Sequence, residues 1–299
     1  MRVFPHRLMH QTSQLTPKSC LLPLAQFAFG IMLCLSLSAA TIAQIQTPQF
    51  RIESQVYSGD SPAPVSENVT LFDNGIVYDF QMSGNANATP SEIVIFDERK
   101  RELTLMDVNR KIAWTVADLR LLKMVDQLRR EAVNNDRASF LVNEPFTETD
   151  DWSSDHVLLE SNSFQYKLTG KRPANESILP RYNEFLDQFT RLSASDPKRL
   201  PPFPRLMLNK TIKNHGWIPT EVQVQVKPNS FFKEAFSATS KHVLVMSLSE
   251  ADRERIKFAR KCWMEFESSN LVEYRQIPAA SKRVAFNSKN DAPPTDQRR

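Results

Sequence analysis

The chain has 299 residues, of which 41% are hydrophobic and 24% charged, a composition typical of a globular protein with one large core or two smaller ones. It has only six glycines against 19 prolines, and it contains no Walker or dinucleotide glycine pattern, which excludes nucleotide sites of those two types. A formal net charge of +4 gives little support to a nucleic-acid-binding protein.

Residues 1–43 have the pattern of a secretory signal peptide. They contain no acidic residue, carry three basic residues up to Lys18, and run apolar from 21 to 43, with small residues around Ala40 and Ala43. Proline and polar residues interrupt the apolar run, which favours cleavage over an uncleaved membrane anchor. We therefore predict export to the periplasm or the extracellular space, with no stable membrane span after cleavage.

Cleavage would change both the charge and the cysteine content. The remaining chain would be close to neutral, so no nucleic-acid partner is expected. Cys20 and Cys34 would leave with the signal, so that Cys262 could form no intramolecular disulfide. We predict that Cys262 is a small buried hydrophobic residue on a helix and not a reactive thiol.

A strand predicted at 50–57 is followed by a meander from Glu67 to Val116. Short apolar runs alternate there with polar turns such as Asp73-Asn74-Gly75, a rhythm typical of antiparallel strands. The run 93–96 is apolar on both of its faces, which predicts that this part of the sheet is covered on both sides. The run 242–248 has the same character.

Helical periodicity occurs in three places. One amphipathic helix is predicted from about 116 to Val133, with Leu119, Leu122, Val125, Leu128 and Val133 on its inward stripe. A second runs from Pro180 to Leu192, and a third follows the capping-box-like Ser249-x-x-Asp252.

Further strands are predicted at 157–167, 205–213 and 218–226. We expect the last two to form a hairpin through Asn214 to Gly216, and the prolines at 201, 202 and 204 to keep their segment out of a helix. The predicted fold is α+β, a curved, mostly antiparallel, half-barrel-like sheet with about three amphipathic helices packed on it. We assign one domain to residues 44–278 and a disordered tail to 279–299.

Catalytic and metal-binding patterns are weak. Asp150, Asp151, Asp155 and His156 form the one local cluster with metal-ligand chemistry, but it lacks the spacing of a zinc helix and the glycine of a calcium loop. A solvated acidic loop is the simpler interpretation. No G-x-S-x-G elbow occurs, so we predict no enzyme, no cofactor and no metal.

The aromatic residues are the remaining functional signal. Core packing explains most of them, but one face of a curved sheet could also leave an apolar pocket. The candidate ligand-binding residues are Tyr78, Phe80, Val94, Phe96, Trp114, Phe164 and Tyr166.

The order of these elements resembles a known family. The segment LTLMDVNRKIAWTV leads into the helix of 117–133 after a signal peptide and a run of short strands, which is similar to the half-barrel of bacterial outer-membrane lipoprotein carriers (LolA-like proteins). The stretches LFDNGIVYDF and IVIFDERKRELTLMD also resemble uncharacterised exported bacterial proteins. The resemblance covers about residues 50–275 as architecture, implies a sheet that binds lipid beneath partly plugging helices, and carries over no functional residue.

Two functional hypotheses follow. In the first, the protein is an exported, non-enzymatic carrier that binds an apolar ligand, such as a lipid or an acyl chain, between sheet and helices. In the second, it is a structural or protein-interaction module with a filled core, no ligand and an unknown protein partner. A hydrolase is a distant third, and it would need Asp155 and His156 to line a pocket.

Overall fold

The computed structural model describes residues 47–276, except 60, 83–88, 152–154, 197–198, 230–231 and 233. The described residues belong to one compact unit. The predicted signal peptide (1–43) and tail (279–299) lie outside them.

A single sheet of twelve strands dominates the described part of the chain. Its strands are β1 (Phe50–Ser58), β2 (Ser66–Asp73), β3 (Ile76–Met82), β4 (Pro90–Asp97), β5 (Glu102–Asp107), β6 (Ile112–Ala117), β7 (Thr147–Asp151), β8 (His156–Glu160), β9 (Phe164–Lys171), β10 (Ile218–Val226), β11 (Phe236–Val245) and β12 (Glu267–Ser268). The sheet is open and curved, in the order β12-β6-β5-β4-β3-β2-β1-β11-β10-β9-β8-β7. Its pairs are antiparallel except for β12 with β6, so the mostly antiparallel character is confirmed.

The predicted meander is β2 to β6. Asn74 and Gly75 both have positive φ, 47° and 79°, which is the backbone that a tight two-residue hairpin between right-twisted strands requires. Asp97 accepts backbone hydrogen bonds at 3.0 Å from Arg99 and Lys100 in the next turn. These acidic residues therefore belong to turns, as predicted.

Six α-helices occur within the described ranges, so the prediction of about three was too low. They are α1 (Asp118–Val133), α2 (Phe140–Asn143), α3 (Leu179–Arg191), α4 (Phe203–His215), α5 (Glu250–Glu265) and α6 (Leu271–Arg275). The mixed α+β class is confirmed. None of the helices described is both long and apolar enough to cross a membrane.

The largest error of the sequence analysis concerns α4, which was predicted as a strand. Pro204 lies in its first turn, where a missing N–H costs nothing because that group has no helical partner. Gly216 caps the other end in the left-handed conformation, at φ 64°, and so ends a helix. The hairpin predicted there was wrong, and β10 pairs instead with β9 and β11.

Two smaller predictions also fail. Leu119 and Val133, placed on the inward stripe of α1, are 59% and 48% exposed, because the buried face is rotated to Leu121 and Val125. The run 242–248 was also predicted to be covered on both faces. Its first part belongs to β11, in which Val243 is 56% exposed. No residue within the described ranges covers Val243 on that face of the strand.

The sheet carries cover on both faces of its β2–β6 half. We call the side that packs against α1 to α4 the inner face and the side that packs against α5 the outer face. Val94 and Phe96 belong to the inner core, whereas Ile93 and Ile95 belong to the core beneath α5. The two-sided burial predicted for 93–96 is confirmed.

Candidate functional site

A cavity of about 470 Å³ lies between the inner face and helix α3, which is within the size range of small-molecule sites. We call it cavity A. It is lined by Ile52, Ser54, Val56, Ser66, Asn68, Thr70, Phe72, Asp79, Gln81, Glu92, Val94, Tyr182, Phe185, Leu186, Phe189, Arg199, Arg205, Val222, Val224, Ala238, Ser240 and His242. These residues come from six adjacent strands, β4-β3-β2-β1-β11-β10, and from the α3–α4 region.

The roof of cavity A is the apolar face of α3. Tyr182, Phe185 and Phe189 recur at helical spacing and point toward the sheet, as the sequence predicted. Arg181 fixes the helix over the strands, because its Nε lies 2.7 Å from Oε1 of Glu98 in the β4–β5 turn.

The floor of cavity A is polar, which the sequence analysis did not predict. Antiparallel registry sets Asn68 opposite Gln81 and Thr70 opposite Asp79. Side chains alternate between faces along a strand, so these polar positions all face inward while their apolar neighbours face α5. The cavity is therefore amphipathic, with polar side chains set among apolar ones on its floor and an apolar roof.

Asp79 is the most deeply buried acid of this floor, at 4% exposure. It accepts hydrogen bonds from Thr70 Oγ1 at 2.6 Å and from Asn68 Nδ2 at 2.9 Å. Burial raises the pKa of Asp79 to about 6 despite both hydrogen bonds, with the charge of Glu92 adding to the rise and that of Arg199 opposing it. The carboxyl therefore changes charge near neutral pH.

His242 lies on the same floor, across β1. Its Nδ1 is 2.8 Å from Ser54 Oγ and its Nε2 is 3.0 Å from Ser240 Oγ. Burial and the charge of Arg205 lower the pKa of His242 to about 4. The imidazole is thus neutral at physiological pH.

A second cavity of about 360 Å³ adjoins the first, and we call it cavity B. It is lined by Leu141, Phe164, Tyr166, Leu186, Phe189, Thr190, Ser193, Arg199, Leu200, Pro201, Pro202, Pro204, Arg205 and Val224. Five residues border both cavities, namely Leu186, Phe189, Arg199, Arg205 and Val224. Cavity B is mainly apolar, and the two arginines lie where it meets cavity A.

Three of the seven candidate residues line a cavity. Val94 lines cavity A, and Phe164 and Tyr166 line cavity B. Tyr78 and Phe80 instead pack on the outer face beneath α5, where Arg260 Nε donates a 3.0 Å hydrogen bond to the Tyr78 hydroxyl. They do not line cavity A or B, because the more apolar face of β3 contacts the helix and its more polar face lines cavity A.

The other two candidates are core residues. Phe96 is fully buried in the inner core, and Trp114 packs there against Tyr274 with ring centroids 6.5 Å apart. Neither is among the residues that line cavity A or B. Core packing, the simpler interpretation of the aromatic residues, holds for both.

The sequence analysis missed the polar half of the site. The signal was present as polar residues at alternate positions of otherwise apolar strands, such as Asn68 and Thr70 in β2 and Asp79 and Gln81 in β3. Such alternation usually marks a solvent-exposed face in an antiparallel sheet, so by itself it does not indicate a cavity.

One residue of the acidic loop belongs to a group of side chains with metal-ligand chemistry. Asp150 joins Glu148 and His215, with ligand atoms within 4.8 Å of one another, and His215 Nε2 lies 2.9 Å from Glu148 Oε1. His156 is exposed, contacts Thr169 Oγ1 at 2.8 Å and is not part of this group.

Comparisons with known proteins give little further information. No family model and no curated protein matches the chain. Among solved structures, PNGF-II is similar at a TM-score of 0.32 and 7% identity, over 76% of this chain and 32% of that one. A LolA superfamily protein from Nitrosomonas europaea is similar at a TM-score of 0.26 and 7% identity, over 69% of this chain and 88% of that one. The chain spans about a third of PNGF-II, and both overlaps are too low to support an argument about function.

Proposed function

We propose that the protein is an exported, non-enzymatic binding or carrier protein that holds an apolar or amphipathic molecule, such as a lipid or an acyl chain, between its sheet and its helices. The observation that carries this proposal is the pair of adjoining cavities, about 470 and 360 Å³, enclosed by the inner face, α3 and the segment leading into α4. Their combined amphipathic lining suits a ligand with an apolar part and a hydrogen-bonding part.

The two cavities suit different parts of such a ligand. An acyl chain is best accommodated in cavity B, where it would contact Phe164, Phe189 and Leu200 and lose its water-exposed surface. The polar floor of cavity A offers hydrogen bonds instead, for example from Asn68 and Ser240. A filled-core interaction module, the second hypothesis, gains no support from such cavities.

A hydrolase also gains no support from this site. Asp155 and His156 are exposed and are not among the described residues that line cavity A or B. Asp79 and His242 are hydrogen-bonded to neighbouring strand residues, and Glu92 accepts a hydrogen bond from the Tyr274 hydroxyl on α6. A binding role needs no further chemistry from them.

The proposal is tested by native mass spectrometry of the gently purified protein, followed by titration with a fluorescent fatty acid. We expect a co-purified small molecule or saturable binding of the probe. The proposal is wrong if the protein is isolated empty and the probe does not bind.

Two adjacent residues on opposite faces of β10 give a matched pair of variants. Val224 borders both cavities, whereas Gln225 is exposed. Val224→Trp should fill the junction of the cavities and weaken probe binding at least tenfold, and Gln225→Trp should leave it unchanged. Equal affinity of both variants would show that the probe binds elsewhere.

A further inference from the structure

Arg205 is a cavity-wall residue whose charge has no counterion among the residues that the structure describes. It lies in the first turn of α4, is half-buried and lines both cavities. Among the residues that the structure describes, its side chain has no hydrogen-bond or ion-pair partner. A ligand that supplies an anion and excludes water from this guanidinium would be favoured, because charge-assisted hydrogen bonds are strong and strengthen as water is removed.

Neutral hydrogen-bond donors lie within electrostatic range of Arg205. The charge of Arg205 lowers the pKa of Tyr166 in cavity B and of Tyr182 in cavity A. Burial has the larger effect and raises the pKa of each phenol to about 12. Both phenols are therefore protonated at neutral pH. Neither hydroxyl has a hydrogen-bond partner among the described residues, so both can donate to a bound group.

Cavity B is free of competing negative charge. Its described lining contains two arginines and no acidic residue. Arg199 is the second arginine, and its Nε lies 3.5 Å from Oδ2 of Asp196, so Arg205 is the better placed of the two for a new anion. Ser193 adds a buried hydroxyl without a partner in the described part of the chain.

We infer that cavity B takes the apolar chain of an amphiphile whose acidic group, a carboxylate or a phosphate, is bound by Arg205 where the two cavities meet. The inference rests on the proposed function and narrows its ligand class. Guanidinium groups bind both acids through paired N–H donors. The buried carboxyl of Asp79 and the side chain of Glu92 line only cavity A, so the acid would lie on the arginine side of the junction.

Calorimetric titration of the full chain with dodecanoate, dodecyl phosphate, uncharged dodecanol and inorganic phosphate tests this inference. We expect one or both anionic amphiphiles to bind at least tenfold more tightly than dodecanol, as charged hydrogen bonds typically provide. Whichever anion binds more tightly identifies the head group. Inorganic phosphate should bind far more weakly, and equal binding of dodecyl phosphate and inorganic phosphate would overturn the role of the chain.

Variants separate the inference from the proposed function. Arg205→Met should remove the preference for the anions while leaving dodecanol affinity unchanged, and Arg205→Lys should restore part of it. Arg253→Met, a change at an exposed arginine of α5, is the matched control. Unchanged anion affinity in Arg205→Met would refute the inference alone, whereas failure of the wild type to bind any of the three amphiphiles would refute the proposed function as well.

Discussion

Thr70 on β2 donates a 2.6 Å hydrogen bond to Asp79 on β3, inside the cavity and not at the surface of the sheet. The pair is directly opposite in the antiparallel register. Because both residues are buried, the sheet brings a titratable acid to the floor of the candidate ligand site. His242, two strands away from β2, is another titratable group of that floor.

Asp79 and His242 should give opposite pH dependences of stability. Burial raises the pKa of Asp79 from 3.8 to about 6, so its contribution is present at low pH and is lost as the pH rises through 6. Burial lowers the pKa of His242 from 6.5 to about 4, so its contribution is present above 6.5 and is lost as the pH falls toward 4. In the wild type the two effects oppose each other.

Single variants should reveal each effect. His242→Gln should lose up to about 3 kcal/mol of unfolding free energy between pH 4 and 7, the value of a two-unit pKa shift at Asp79. Asp79→Asn should show the reverse slope, because only the lowered pKa of His242 then acts on this floor. Urea denaturation at several pH values measures both. Curves parallel to the wild type in both variants would contradict the assignment.

Asp252 should be the most sensitive polar residue of the outer layer. It is fully buried, forms a capping box with Ser249, and lies 3.1 Å from Arg51 Nη1 on β1. Although burial opposes it, the hydrogen bonds from Ser249 and the charge of Arg51 hold the pKa of Asp252 below its usual range. Its contribution is therefore present above about pH 4 and is lost on further acidification.

Asp252→Ala should lower the unfolding free energy by about 3 kcal/mol, because it removes the N3 half of the capping box and leaves Arg51 without its buried partner. Glu254→Ala, at an exposed position of the same helix, should change it by less than about 0.5 kcal/mol. Similar effects of the two variants in urea denaturation would contradict the role given to Asp252.

Gly170 should not tolerate a side chain. A Cβ at this position would lie 2.8 Å from Cε3 and 3.0 Å from Cβ of Trp217, closer than packed carbon atoms allow. We expect Gly170→Ala to cost about 1–3 kcal/mol of stability, as overpacking does. In a double-mutant cycle, Trp217→Leu should reduce the cost of Gly170→Ala, and strict additivity would argue against the clash.

Cys262 should be unreactive in the folded protein. It is 4% exposed, which confirms the predicted burial, and burial raises the pKa of its thiol. Titration with a chromogenic disulfide at neutral pH should label it only after denaturant is added. Labelling of the native protein at the rate of an unstructured cysteine peptide would contradict this expectation.

Local chemistry predicted much of the fold. The capping box of Ser249 and Asp252 correctly predicted the start of α5, and the Asp73-Asn74-Gly75 turn correctly predicted the β2–β3 hairpin. Both features depend on residues close in sequence. The mistake over α4 has a local cause as well. Pro204 and Gly216 are equally compatible with an extended segment and with the two ends of a helix.

The sequence by itself therefore determined where most strands, turns and amphipathic helices occur, and that both faces of β4 are buried. Only the tertiary structure decided what covers each face. Alternation along β3 shows that Tyr78 and Asp79 point to opposite faces of the sheet. Helix α5, which comes more than 170 residues later, packs on the face of Tyr78. The position of Asp79 on the cavity floor and that of Arg205 where the two cavities meet arise from contacts between distant segments, and no local pattern encodes them.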